Sequence, residues 1–210
     1  MHIEFLVEEP SAEEALNSLV PKMCGAGVSY RIHPFQGKPD LLKRLPNRLR
    51  GYKRLLDEGR APYEKDRFCI VVLVDADSVD ASKCKDLKQR LDEEARRARL
   101  VCKSDASLGS AFHVLNRIAV EELEAWFFGD MDAVVTAYPA VPRGLEGRRR
   151  YRDPDHIAGG TWEALDRVLR RVGYRPGGKR RVARKISTQM DPSRNRSRSF
   201  QVFRDAIVGL

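Results

Sequence analysis

Polar and apolar positions alternate at the start of "HIEFLVEE" and then close into the run Phe5-Leu6-Val7, which predicts a strand ending in two glutamates. "PSAEEALNSLVPKM" follows with helical periodicity: Ala15, Leu16, Leu19 and Val20 make an apolar stripe, and Ser11 and Glu14 have capping-box spacing. "GVSYRIHPF" predicts a second strand. "GKPDLLKRLPNRLRGYKRLLDEG" is helical on either side of Pro46. "FCIVVLVDAD" stays apolar up to Asp75, the pattern of a central strand covered on both faces. "DASKCKDLKQRLDEEARRA" predicts a polar helix that Ser78 or Asp80 can cap. "FHVLNRIAV" predicts a fourth strand, and "EELEAWFFGDMDAVVTAYP" a helix up to Pro139. After a Gly/Pro/Arg-rich connection, "TWEALDRVLRRVGY", "KRRVARKISTQM" and "SFQVFRDAIVGL" predict three short helices.

Strands alternating with helices predict an α/β fold with a mostly parallel central sheet flanked by helices. The expected division is an α/β domain over residues 1–142 and a basic helical extension over 143–210 packed on the same domain.

Charge changes the picture of the second part. The 210-residue chain carries net +9, but residues 1–142 are net −2 and residues 143–210 net +11. That asymmetry predicts a polyanionic partner. A hydrophobic content of 42% is enough for a real core. Cys24, Cys69, Cys84 and Cys102 form no Cys-x-x-Cys, and the four histidines have no metal spacing, so reduced cysteines in a cytoplasmic protein are expected, without zinc. No apolar run approaches the ~20 residues of a membrane helix, and Met1 to Val7 is too short for a signal peptide.

Candidate chemistry lies in the acids that end the strands, because sites in parallel sheets form at the carboxyl edge. Asp75 and Asp77, two apart, point the same way if the chain stays extended. Glu8 would face them across about 5 Å if the first and third strands are neighbours. Such a cluster of like charges is cheap only around a cation, and hard oxygen ligands favour Mg²⁺ or Mn²⁺. Glu9 and Glu14 fit solvent or capping roles, and Glu13 is open. In "VEELEAWFFGD", Glu121 and Glu124 would share a helix face, with Glu124 the stronger candidate beside the aromatic anchor Trp126. Each acid also has a bland alternative, as a turn, cap or first-turn residue.

"FLVEEPSAEEA" and "VVLVDADSVD" resemble the Toprim metal site of topoisomerases, primases and OLD-type (overcoming lysogenization defect) nucleases. With "HPFQGKPDLLKRLPNRLRGY", "RIAVEELEAWFFGD" and "NRSRSFQVF", most of the chain resembles a stand-alone Toprim-like family of bacterial proteins, which often accompany ABC- or SMC-like ATPases in anti-phage modules. The resemblance implies a Toprim/Rossmann-like fold and a nuclease acting on DNA or RNA through Mg²⁺ or Mn²⁺. It makes Glu8, Asp75, Asp77 and Glu124 catalytic, with Glu8, Asp75, Asp77, Glu121 and Glu124 at the metal. Phosphate contacts would come from Lys38, Arg148, Arg149, Arg150, Lys179, Arg180, Arg181, Arg184 and Lys185. Two departures stand out: Glu9 replaces the usual glycine, and Ala12 stands where OLD-type nucleases often carry another acid, a place Glu13 could fill.

Other readings compete. A HAD-type phosphatase also uses Asp-x-Asp after an apolar strand, and Gly129 to Asp132 faintly matches its later acidic motif, but Glu8 is then unexplained. Gly173, Gly178 and Lys179 fit P-loop spacing, yet Arg180 replaces Ser/Thr and the preceding segment is helical, so the match is chance. A catalytically inactive Toprim fold that only binds nucleic acid or protein is the non-enzymatic alternative.

Overall fold

The computed structural model describes residues 1–25, 27–59, 67–107 and 110–210. Four strands, β1 (His2–Val7), β2 (Ser29–Pro34), β3 (Phe68–Asp75) and β4 (Val114–Ala119), form one sheet in the order β2-β1-β3-β4. Every pairing is parallel, with Val7 opposite Leu73 and Asp75 opposite Ala119. The helices are α1 (Pro10–Cys24), α2 (Lys38–Asp57), α3 (Ala81–Arg97), α4 (Ala125–Gly129), α5 (Met131–Ala137), α6 (Thr161–Arg171), α7 (Lys179–Ser187) and α8 (Arg198–Val208). This is the α/β, Rossmann-like arrangement that the alternation of elements predicts.

Side-chain alternation divides the core into two layers. Ile3, Phe5, Val7, Cys69, Val71 and Leu73 face a cluster that includes Leu16 and Leu19 of α1, Trp126 of α4, Leu165 of α6, Ile186 of α7 and Phe200 of α8. Leu6, Ile70, Val72 and Val74 face the other way, onto Leu41, Leu45 and Leu49 of α2 and Leu91 of α3. Central β3 is therefore buried along its whole length, which explains its unbroken apolar run. Residues 143–210 share the first cluster with the sheet. Trp126 packs on Phe200 and Phe203, at 5.2 and 5.0 Å between ring centroids, and its indole N–H donates to Ser199 Oγ. Fully burying each such side chain contributes roughly 1.5–3 kcal/mol.

Local chemistry moves some boundaries. Pro10 occupies the first turn of α1 and starts the helix before Ser11, so the expected Ser11/Glu14 capping box does not form. Ser11 Oγ instead donates to Glu9, and Glu14 receives Arg180 and Arg184. The helix expected from Glu121 to Pro139 begins only at Ala125 and breaks at Asp130, whose carboxylate accepts the Ala133 N–H and caps α5. Asp80 caps α3 by accepting the Ser82 N–H. Among the described residues, no helix is long and apolar enough to cross a membrane.

Candidate metal centre

Three elements deliver three carboxylates to the carboxyl edge of the sheet. Asp75 is the last residue of β3. Extending the β1–β3 register by two residues past Val7–Leu73 sets Glu9 beside Asp75, on the same face of the sheet. Glu124 sits at the start of α4, where its carbonyl accepts the Phe127 N–H. Carboxylate oxygens of Glu9, Asp75 and Glu124 all lie within 4.8 Å of one another. Asp75 and Glu124 are buried, and Glu9 is half-buried.

Glu8 lies at the edge of this trio. Its Oε2 accepts the Asp75 backbone N–H at 3.2 Å. Burial pushes its carboxyl above the ordinary 4.5, against the pull of Lys38. Burial also drives the Asp75 carboxyl well above its ordinary value, with the charges of Glu8 and Glu124 adding to it. For Glu124, burial raises the pKa to about 7 despite the nearby Lys179 cation. These carboxylates lie close together, and a charge on any of them makes a charge on the next less favourable.

Lys179, the first residue of α7, reaches the same group of acids. Gly177 and Gly178, with φ of 74° and 97°, supply the left-handed backbone that starts the helix there. Its Nζ lies 2.9 Å from Glu122 Oε1, 3.6 Å from Glu9 Oε1 and 3.8 Å from Glu124 Oε2. Burial alone would lower its pKa, but Glu124 and Glu122 more than offset that and raise it. Glu122 is otherwise a support: its Oε2 accepts the Trp162 N–H at 2.8 Å and the Thr161 hydroxyl at 3.1 Å, holding the first turn of α6.

Both carboxylate oxygens of Glu124 are buried without a hydrogen-bond partner. The Lys179 contact at 3.8 Å is too long for a hydrogen bond. An ionised carboxylate in such a place needs a cation, and the neighbouring acids supply further oxygen ligands. Glu9, Asp75 and Glu124 can therefore hold a metal ion, and an all-oxygen donor set suits a hard one.

Asp77 and Glu121 stand apart from the trio. Asp77 has φ 51°, so the extended alternation stops at Asp75, and the Asp77 side chain turns outward to Lys38 Nζ at 2.5 Å. Glu121 has φ 62° and is tied by its backbone, with Asp77 N–H donating to Glu121 O and Glu121 N–H to Ser78 O. It therefore lies outside any helix and does not share a helical face with Glu124. Ala12 is packed into the core, and Glu13 lies 3.9 Å from Arg180. Glu9 is the residue that sequence reasoning passed over. Its signal is register: only the pairing of β1 with β3 shows which of the two glutamates lines up with Asp75.

The basic residues divide as well. Arg180 and Arg184 both pair with Glu14 on α1, whose carboxyl these guanidiniums hold down at about 2. Lys185 lies 4.2 Å over the Tyr138 ring. Arg181 lies against Gly177, and Arg150 donates to Ala158 O at 3.3 Å. Arg148 and Arg149 are exposed and make no ion pair among the described residues. Asp130, from the stretch that matches a phosphatase motif, is an α5 cap that also accepts Arg194.

No curated protein and no solved structure matches this chain. A family model described as "Domain of unknown function (DUF4276)" matches residues 7–207, so the chain belongs to that family.

Proposed function

We propose that the protein is a metal-dependent, Toprim-like nuclease that hydrolyses phosphodiester bonds in DNA or RNA, with Mg²⁺ or Mn²⁺ held by Glu9, Asp75 and Glu124. The observation that carries this reading is the pair of buried, partnerless oxygens of Glu124 beside Asp75 and Glu9. The sequence resemblance to the Toprim site of OLD-type nucleases supports the choice of phosphodiester chemistry. A bound ion supplies Lewis-acid polarisation of a phosphoryl oxygen. Asp75 and Glu124, fixed by strand and helix ends, orient the site. Glu8 stands at its edge with a raised pKa, placed to exchange a proton with the attacking water. Lys179 offsets the negative charge of Glu9, Glu122 and Glu124 beside the site, and exposed Arg148 and Arg149 add sequence-independent backbone contacts. The same resemblance suggests an anti-phage module with an ABC- or SMC-like ATPase as partner.

The test combines Mn²⁺ titration by calorimetry with cleavage of labelled DNA and RNA. Wild type should bind Mn²⁺ and cleave in its presence. Asp75→Asn and Glu124→Gln should weaken Mn²⁺ binding at least tenfold and abolish cleavage, while oligonucleotide binding in EDTA persists. Wild type that takes up no Mn²⁺ overturns the proposal, whether or not a partner ATPase gates the activity.

One observation favours a second reading. Lys179 already lies among Glu9, Glu122 and Glu124 as a resident counter-ion. A catalytically inactive Toprim fold that binds nucleic acid or protein would use it in place of a metal. That reading predicts no Mn²⁺ uptake and identical oligonucleotide affinity with and without EDTA.

A further inference from the structure

The outer face of α2 carries a basic stripe that leads away from the acidic centre. Leu41, Leu45, Leu49, Tyr52 and Leu56 bury one side of this helix. At 100° per residue, the opposite side is Lys43, Asn47, Arg50 and Arg54, all exposed. Arg48 is exposed too, but on another side of the helix, next to the buried face. The acids of α2 are already engaged, Asp40 by Arg44 at 2.7 Å and Asp57 by Lys53. Lys43, Arg48, Arg50 and Arg54 have no carboxylate at ion-pair distance among the described residues; Arg50 donates only to Asn47.

The start of α2 is fastened to the centre. Gly37 N–H donates to Glu8 O at 2.9 Å, and Lys38 pairs with Asp77 in the loop that follows Asp75. From there the helix runs 20 residues, about 30 Å, along the sheet. From Lys43 to Arg54 the unpaired cations spread over about 17 Å of one helix face, and cations spaced over that distance match a repeating anion rather than a small one. Duplex DNA carries a charge about every 1.7 Å of its axis.

We propose that the Lys43–Arg50–Arg54 stripe of α2 is a nucleic-acid track that leads the phosphate backbone to the acidic centre. This rests on the nucleic-acid reading above and assigns it a surface outside residues 143–210.

The experiment is fluorescence anisotropy with a labelled 20-bp DNA duplex and a 20-nucleotide RNA, in EDTA, over a range of salt. Three variants are compared with wild type: Lys43→Glu/Arg50→Glu/Arg54→Glu, its neutral counterpart Lys43→Gln/Arg50→Gln/Arg54→Gln, and Arg148→Glu/Arg149→Glu/Arg150→Glu. The α2 reversal should weaken binding at least tenfold at 100 mM salt. The neutral variant should flatten the log–log salt slope for duplex by about 2.7, the loss of three phosphate contacts at ~0.9 each. Both substitute solvent-facing positions, so unfolding midpoints should stay within a few degrees of wild type, and the neutral variant carries the test if the reversal does not fold. Affinity within twofold of wild type for both α2 variants overturns the track. So does loss of binding in the Arg148–Arg150 variant alone, which leaves the nuclease reading standing. Wild type that binds neither probe overturns both.

Discussion

Glu124→Gln should make the metal-free protein more stable, not less. The substitution keeps the shape of a fully buried side chain and removes its charge. Burial is the main reason its pKa stands at about 7 rather than 4.5; Lys179 opposes the shift, and Glu122 and Glu9 add to it. A carboxyl with a raised folded-state pKa holds a proton that the unfolded chain releases. Stability therefore falls as pH rises from about 4.5 to about 7, and the full deficit persists above that. At 1.36 kcal/mol per pH unit the deficit is about 3 kcal/mol. The glutamine amide N–H can donate to Asp75 or Glu9, and about 1 kcal/mol is allowed for imperfect pairing. The remaining gain of about 2 kcal/mol should raise the midpoint of a chain this size by about 4–8 °C. The assay is thermal unfolding in EDTA at pH 8 and at pH 4.5, where the variant's advantage should be gone. Mn²⁺ at a hundred times its wild-type Kd should then add about 2.7 kcal/mol to wild type and, after a tenfold loss of affinity, only about 1.4 kcal/mol to the variant, narrowing the gap between them. A variant less stable than wild type at pH 8 in EDTA, or an equal Mn²⁺ shift in both, refutes the picture of repelling buried carboxylates awaiting a cation.

Three further outcomes follow from particular contacts. Lys179→Met removes the cation that Glu9, Glu122 and Glu124 share, so the metal-free variant should lose about 2 kcal/mol, and Mn²⁺ should restore more stability to it than to wild type; equal Mn²⁺ shifts in thermal unfolding would contradict this. Glu4 accepts His33 Nε2–H at 2.5 Å, His2 Nε2–H at 3.1 Å and Tyr52 O–H at 3.1 Å. Burial works to raise its pKa, but these partners outweigh it and hold the carboxyl at about 2. That stability is present above about pH 4.5 and is lost as pH falls toward 2, so Glu4→Gln should cost roughly 2 kcal/mol at pH 7, after screening at the partly exposed His33, and should flatten the acid limb of a urea-unfolding series; parallel pH curves would refute it. Gly129→Ala would place a Cβ 2.0 Å from Asn195 Oδ1 and 2.9 Å from Ser197 N. The Asn195 side chain is held by its donation to Trp126 O, so the variant should lose at least 1–3 kcal/mol in chemical denaturation, and a neutral result would mean that the Asn195 loop yields freely.

What the chain discloses by itself follows from where its information is local. The apolar run of β3 and the stripes of α1 and α2 are local, because one strand covered on both faces and one helix half-covered each leave a fixed period in sequence. Asp75 was legible for the same reason, as the first charge after such a run, and Glu124 stood out by its neighbour Trp126, which is wholly buried. Glu9 was not legible, since Glu8 and Glu9 both end an apolar strand and only pairing with β3 decides which of them faces Asp75. Asp77 and Glu121 misled because i, i+2 and i, i+3 rules hold only inside regular elements, and both residues adopt left-handed backbone that ends the element. The +11 of residues 143–210 overstates the unpaired charge there. A formal charge count cannot see that Lys179 is spent inside an acidic pocket or that Arg180 and Arg184 are clamped by Glu14 across the fold. The cations that remain without partners are therefore a property of tertiary pairing, and on α2, whose Asp40 and Asp57 pair within the helix, that pairing leaves Lys43, Arg50 and Arg54 exposed without a carboxylate partner among the described residues.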